Sequence, residues 1–140
     1  FFEYGFTPLR REAAAKTDPL LKDTPDLVPL FEVHGDTFAL PAGAVRLLCG
    51  DAVDNQAFRI GTTTYAFQCH FEVTPEIVEV WSELLWPVQD RTAEREAVVR
   101  NALASFSKHG EAQRAFALTL TNAWMNLVEQ ASCLCQADRQ

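Results

Sequence analysis

Phe67-Gln68-Cys69-His70-Phe71-Glu72-Val73-Thr74-Pro75-Glu76 is the stretch on which the reading of this chain turns. Its first residues continue a strand-like run that begins at Thr64 and is expected to reach Cys69. From Thr74 the pattern is helical: Thr74 can cap free amides, Pro75 suits the first turn, and Glu76 favours the positive end of the helix dipole. In extended chain alternate side chains share a face, so His70 and Glu72 are expected on one side and Cys69 and Phe71 on the other. A carboxylate beside an imidazole holds one ring nitrogen as a donor and leaves the other to take a proton from a nucleophile. These are two parts of a catalytic triad, although the same spacing also serves purely structural pairs.

Upstream, Leu30 to Val33, Val45 to Cys49 and Ala57 to Ile60 read as further strands, separated by His34-Gly35-Asp36, Pro41-Ala42-Gly43 and Asp51 to Asn55. Some of their pairing is expected to be antiparallel. Residues 1–28 are interrupted by Pro8, Asp18-Pro19 and Pro25 and read as connecting structure. Downstream, a first helix presents Ile77, Trp81, Leu84 and Leu85 on one face and should end at Pro87. A second is expected from Thr92 to Lys108, with His109-Gly110 as its stop, and a third from Glu111 to Ser132 whose apolar face carries Phe116, Leu120, Ala123, Leu127 and Ala131, widened by Trp124 and Val128. The chain thus divides into a strand-rich part, 1–73, and a helical part, 74–140.

The chain has 140 residues, 12 basic and 19 acidic, for a formal net charge of −7. Without clustered Lys and Arg, a nucleic-acid partner is not expected. No apolar run approaches membrane-spanning length and no leader pattern opens the chain, so no membrane partner is expected and a cytoplasmic protein is. Four cysteines (Cys49, Cys69, Cys133, Cys135) lack the spacing of a disulfide scaffold and read as free thiols. Cys133-x-Cys135 is half a metal site with no second pair to complete it, so no metal and no cofactor are expected. Between Glu72 and Glu96 acidic residues outnumber basic ones, which reads as a solvated helix face or as a surface for a basic partner.

Several ordered segments resemble the class I glutamine amidotransferases, especially glutaminase domains similar to that of GMP synthase. They are Glu3-Tyr4-Gly5-Phe6, Asp18-Pro19-Leu20-Leu21, Phe31-Glu32-Val33-His34-Gly35-Asp36-Thr37-Phe38 with Leu40-Pro41, Asn55-Gln56-Ala57-Phe58-Arg59, and Phe67 to Thr74. The resemblance implies the C-terminal part of a three-layer α/β glutaminase domain, with a mixed sheet and long C-terminal helices. It implies hydrolysis of the glutamine side-chain amide, releasing ammonia through a Cys-His-Glu triad. His70 would be the general base and acid, and Glu72 its orienting partner. His34, Gly35 and Asp36 would border the glutamine pocket. The family's Gly-x-Cys-x-Gly nucleophile elbow is not found in these residues, so the chain alone is expected to be inactive. Its expected partners are glutamine or a γ-glutamyl substrate, a synthetase, or a missing N-terminal half. Three alternatives stay open: a γ-glutamyl hydrolase or peptidase of the same fold, a degenerate non-catalytic binding domain, and a metal site built from Cys69, His70 and His34.

Overall fold

The computed structural model describes residues 2–90 and 92–137, leaving the side chains of Val88 and of residues 131–137 undescribed. Five strands precede the helices: β1 (Glu3–Arg11), β2 (Leu27–His34), β3 (Ala44–Cys49), β4 (Ala57–Ile60) and β5 (Thr64–Phe67). They form one sheet in the order β2-β1-β3-β4-β5, and every ladder among the described residues is antiparallel. Two α-helices follow, α1 (Pro75–Leu85) and α2 (Ala93–Ala137). The class is α/β, as expected from the sequence. No described helix is long and apolar enough to cross a membrane.

The first 28 residues are not connecting structure, because Glu3–Arg11 is a strand paired on both sides. Pro8 does not break it, for a reason visible in the register. Pro8 lies opposite Pro29, and Phe6 lies opposite Phe31 two positions along. Phe31 directs its backbone groups away from β1: its N–H donates to Gln113 Oε1 at 2.9 Å, and its C=O accepts from the His70 N–H at 2.7 Å. Pro29 has the same parity, so neither proline sits where the β1–β2 ladder needs a donor. β1 meets β3 only at Arg10 and Arg11, beyond Pro8.

Both faces of the β1–β2 ribbon are covered, so the strands read as nearly continuous apolar runs. On one face Leu9, Val28 and Leu30 join Leu20, Leu21, Leu47, Leu48, Phe116 and Leu120 in the larger core cluster. On the other, Tyr4, Phe6 and Phe31 meet Val78, Ala102 and Phe106. Helix α2 serves both clusters and reaches the outer edge of β2 at Gln113.

Two expectations for the helices are corrected. The second and third helices are one continuous helix, because His109 and Gly110 do not stop it. The His109 ring packs 5.4 Å from that of Phe6, and Phe106 packs on both Phe6 and Phe31. An interior glycine costs a helix only about 1 kcal/mol, less than burying such residues returns. In α1 the buried positions are Val78 and Ser82, whereas Leu84 and Leu85 are exposed. The Thr74 cap forms as read, its hydroxyl accepting from the Ile77 N–H.

Asp18 ties the loop after β1 to the far side of the sheet. Its buried carboxylate accepts from Arg59 Nε at 2.8 Å, the Leu20 N–H at 2.9 Å and the Tyr65 hydroxyl at 3.2 Å. Burial and then the Asp18 charge push the Tyr65 phenol up to about 12. Asp18→Ala would orphan all three donors, and breaking a buried pair of this kind costs about 3 kcal/mol or more. Urea denaturation should therefore show a lowered midpoint with an unchanged slope.

Candidate active site

β5 ends at Phe67, so His70 and Glu72 lie in the turn leading to α1 and not on a strand. Strand alternation therefore does not bring them together; the turn does. His70 Nδ1 lies 2.8 Å from Glu72 Oε1. Several bonds hold this short segment at fixed places. Gln68 donates its N–H to Gln56 O at 2.8 Å and its side-chain amide to Asp36 O at 2.6 Å. His70 N–H reaches Phe31 O, and Val73 O accepts from Gln113 Nε2 at 3.1 Å. The Trp81 ring of α1 stands edge-on to the His70 imidazole, centroids 4.9 Å apart. The His70 side chain is 33% exposed, which leaves room for a substrate to approach.

With Glu72 accepting at Nδ1, the neutral form of the His70 ring has its lone pair at Nε2. That tautomer is the one a general base requires. Neither described cysteine is disposed to act as a nucleophile. Cys69 is buried, and burial and then the Glu32 charge push its thiol well above the ordinary range. Cys49 is partly buried on β3, and burial together with Glu12 raises its thiol as well. Thiols shifted in this direction are poor nucleophiles at neutral pH. Cys133 and Cys135 have side chains outside the described residues.

The His34-Gly35-Asp36 turn follows β2 and divides its residues between two surroundings. Gly35 and Asp36 line an open groove of about 740 Å³ together with Thr37, Asp51, Asp54 and Asn55. His34 is turned inward, its side chain only 10% exposed. Its Nδ1 lies 2.9 Å from Asp36 O, and since a carbonyl only accepts, Nδ1 carries a proton. Its Nε2 faces two carboxylates, Glu3 Oε2 at 3.0 Å and Glu32 Oε2 at 3.2 Å. Asp36 O thus receives both His34 and Gln68, which joins the groove to the segment carrying His70. Among the described residues Cys69, His70 and His34 do not form a group of ligating atoms; Glu3, Glu32 and His34 do.

Two residues at the site escaped sequence reasoning. Glu32 is fully buried, and burial and then Glu3 push its carboxyl up to about 9. Its signal was a lone carboxylate between Phe31 and Val33 in an otherwise apolar strand. Gln113, 2% exposed on α2, clamps Phe31 N–H and Val73 C=O on either side of the His70 segment. Nothing local marks it, because both partners are distant in sequence.

Neither protein-family models nor curated proteins match the chain. Solved structures do. A glutamine amidotransferase from Thermotoga maritima superposes with a TM-score of 0.71 at 23% identity, over 87% of this chain and 50% of its own. A glutamine amido transferase from Methylobacillus flagellatus gives 0.64 at 22% identity, over 89% of this chain and 52% of its own. The protein SMU.1228c gives 0.59 at 29% identity, over 86% of this chain and 53% of its own. The chain spans about half the length of each of these structures. Its five-stranded sheet and long helix therefore belong to the glutamine amidotransferase fold.

Proposed function

We propose that this chain is the C-terminal portion of a glutaminase domain that hydrolyses the side-chain amide of glutamine and releases ammonia. The 2.8 Å contact between His70 Nδ1 and Glu72 Oε1, on a segment pinned from both sides, is the observation that carries this reading. His70 Nε2 would take the proton of a cysteine thiol as the sulfur attacks the amide carbon. It would pass that proton to the departing nitrogen, which leaves as ammonia from a thioester. In the second half it would take a proton from water attacking the thioester and return it to the sulfur. Glu72 would hold the ring orientation and stabilise the imidazolium formed in each half.

The nucleophile would be a cysteine on a Gly-x-Cys-x-Gly elbow outside these 140 residues: burial raises the Cys49 and Cys69 thiols, and Cys133 and Cys135 have no flanking glycines in the sequence. Gly35 and Asp36 would border the substrate. Asp51 in the lining of their groove is paired with Arg10, which leaves Asp54 to suit the ammonium group of an amino acid. His34 would act indirectly, by holding Asp36 O.

Ammonia release by the full-length protein, compared between glutamine and γ-glutamyl peptides, tests the proposal. Turnover of glutamine with ammonia as product is expected. Preference for γ-glutamyl peptides would assign a hydrolase of the same fold, and inactivity on both would leave a binding domain.

A further inference from the structure

The buried cluster beneath the His34-Gly35-Asp36 turn is not used by the proposed chemistry. Glu3 at the start of β1 lies directly opposite His34 at the end of β2, and Glu32 lies two residues before His34 on the same face. Gly5, at φ +111°, stands opposite Glu32 and presents no side chain there. One ring nitrogen beside two carboxylates would be unremarkable on a surface; here Glu3 is 9% exposed and Glu32 not at all.

The distances have a particular meaning. Four ligands at about 2.0 Å from a tetrahedral zinc ion lie about 3.3 Å from one another. His34 Nε2 lies 3.0 Å and 3.2 Å from the two carboxylate oxygens, and the three ligand atoms all fall within 4.8 Å of one another. A hard cation such as calcium would need about six to eight oxygens at longer range, which this cluster does not supply. The ring is also oriented as a metal-bound histidine is, with Nδ1–H anchored on a backbone carbonyl.

A second observation points the same way. Gln56 is fully buried, its Nε2 is 3.3 Å from Glu3 Oε2, and its Oε1 has no hydrogen-bond partner. Glu32 Oε1 likewise has none. Turning the Gln56 amide by half a revolution would bring its carbonyl oxygen to the Glu3 side and supply a fourth ligand. A divalent ion would also balance two carboxylates that are costly to bury as a pair of like charges.

We infer that Glu3, Glu32 and His34, with Gln56 as the fourth ligand, form a binding site for a zinc-type divalent cation that staples the ends of β1 and β2 beneath the groove. The test is titration of the chelator-stripped protein with Zn²⁺, followed calorimetrically and by melting temperature, with Co²⁺ as a spectroscopic substitute. One ion per chain at micromolar or tighter affinity is expected, with a raised melting temperature. Co²⁺ should give the visible bands of a four-coordinate nitrogen and oxygen site, without thiolate charge-transfer absorption. His34→Gln and Glu32→Gln should each weaken Zn²⁺ binding by about 100-fold or more. The inference is overturned if the wild-type protein takes up no ion at micromolar Zn²⁺, if the Co²⁺ spectrum reports thiolate ligation, or if folded His34→Gln binds as the wild type does. Should either variant fail to fold, the wild-type stoichiometry and Co²⁺ spectrum decide the matter.

Discussion

Full-length protein carrying His70→Ala is expected to lose glutamine hydrolysis by about 10³-fold or more, with glutamine binding largely retained. The size follows from the role. In the proposed mechanism no other group in this segment would collect the thiol proton or deliver it to the leaving nitrogen, so both halves of the reaction would fail together. Binding is expected to survive because His70 is held by the turn and by Trp81 rather than by the groove residues. Glu72→Gln should cost less, since its carboxylate is half exposed and water can replace part of its contact with Nδ1. Steady-state assays of ammonia release, with KM and kcat separated, check both variants. Equal losses for the two, or a loss confined to KM, would assign the pair to substrate binding.

Gln113→Leu is expected to destabilise the fold by about 2 to 6 kcal/mol, because two buried backbone groups lose their partners at about 1 to 3 kcal/mol each. Leucine keeps most of the volume, so the loss reports hydrogen bonds and not a cavity. Phe31 N–H and Val73 C=O are otherwise shut between β2, the His70 segment and α2. A chain of this size should melt lower by roughly 8 to 24 °C, at about 4 °C for each kcal/mol. Thermal denaturation by circular dichroism measures it. Because Phe31 O also holds the His70 N–H, the variant is further expected to lower kcat at temperatures where it remains folded.

Legibility in the sequence followed the range over which each feature is determined. The Thr74-Pro75-Glu76 helix start and the β3 and β4 runs are local, and the structure has them where composition placed them, whereas β5 stops at Phe67, short of the expected Cys69. His70 and Glu72 are two residues apart, so any tight local backbone could join them. The expected strand was the wrong backbone, but the pair forms in the turn all the same. β1 was hidden because proline is read as a breaker, and only the register with Pro29 shows that its missing N–H is not needed. The continuity of α2 was hidden because Gly110 reads as a stop, whereas Phe106 and His109 are held by Phe6 from 100 residues away in the chain. Glu32 and Gln113 were out of reach for the same reason, since their partners are set by tertiary contact alone. The His34 ring faces the buried carboxylates while Gly35 and Asp36 line the groove, a division set by the β1–β2 register and not by local sequence.

The central claim is that these residues bring the base and the orienting acid to a glutamine-hydrolysing centre whose nucleophile lies elsewhere. The most direct measurement is to treat the full-length protein with an electrophilic glutamine analogue and to locate the adduct by peptide mass spectrometry. The account predicts a single modified cysteine outside these 140 residues, protected by glutamine and modified more slowly in His70→Ala. Modification of Cys49, Cys69, Cys133 or Cys135, or labelling that glutamine does not block, would contradict it.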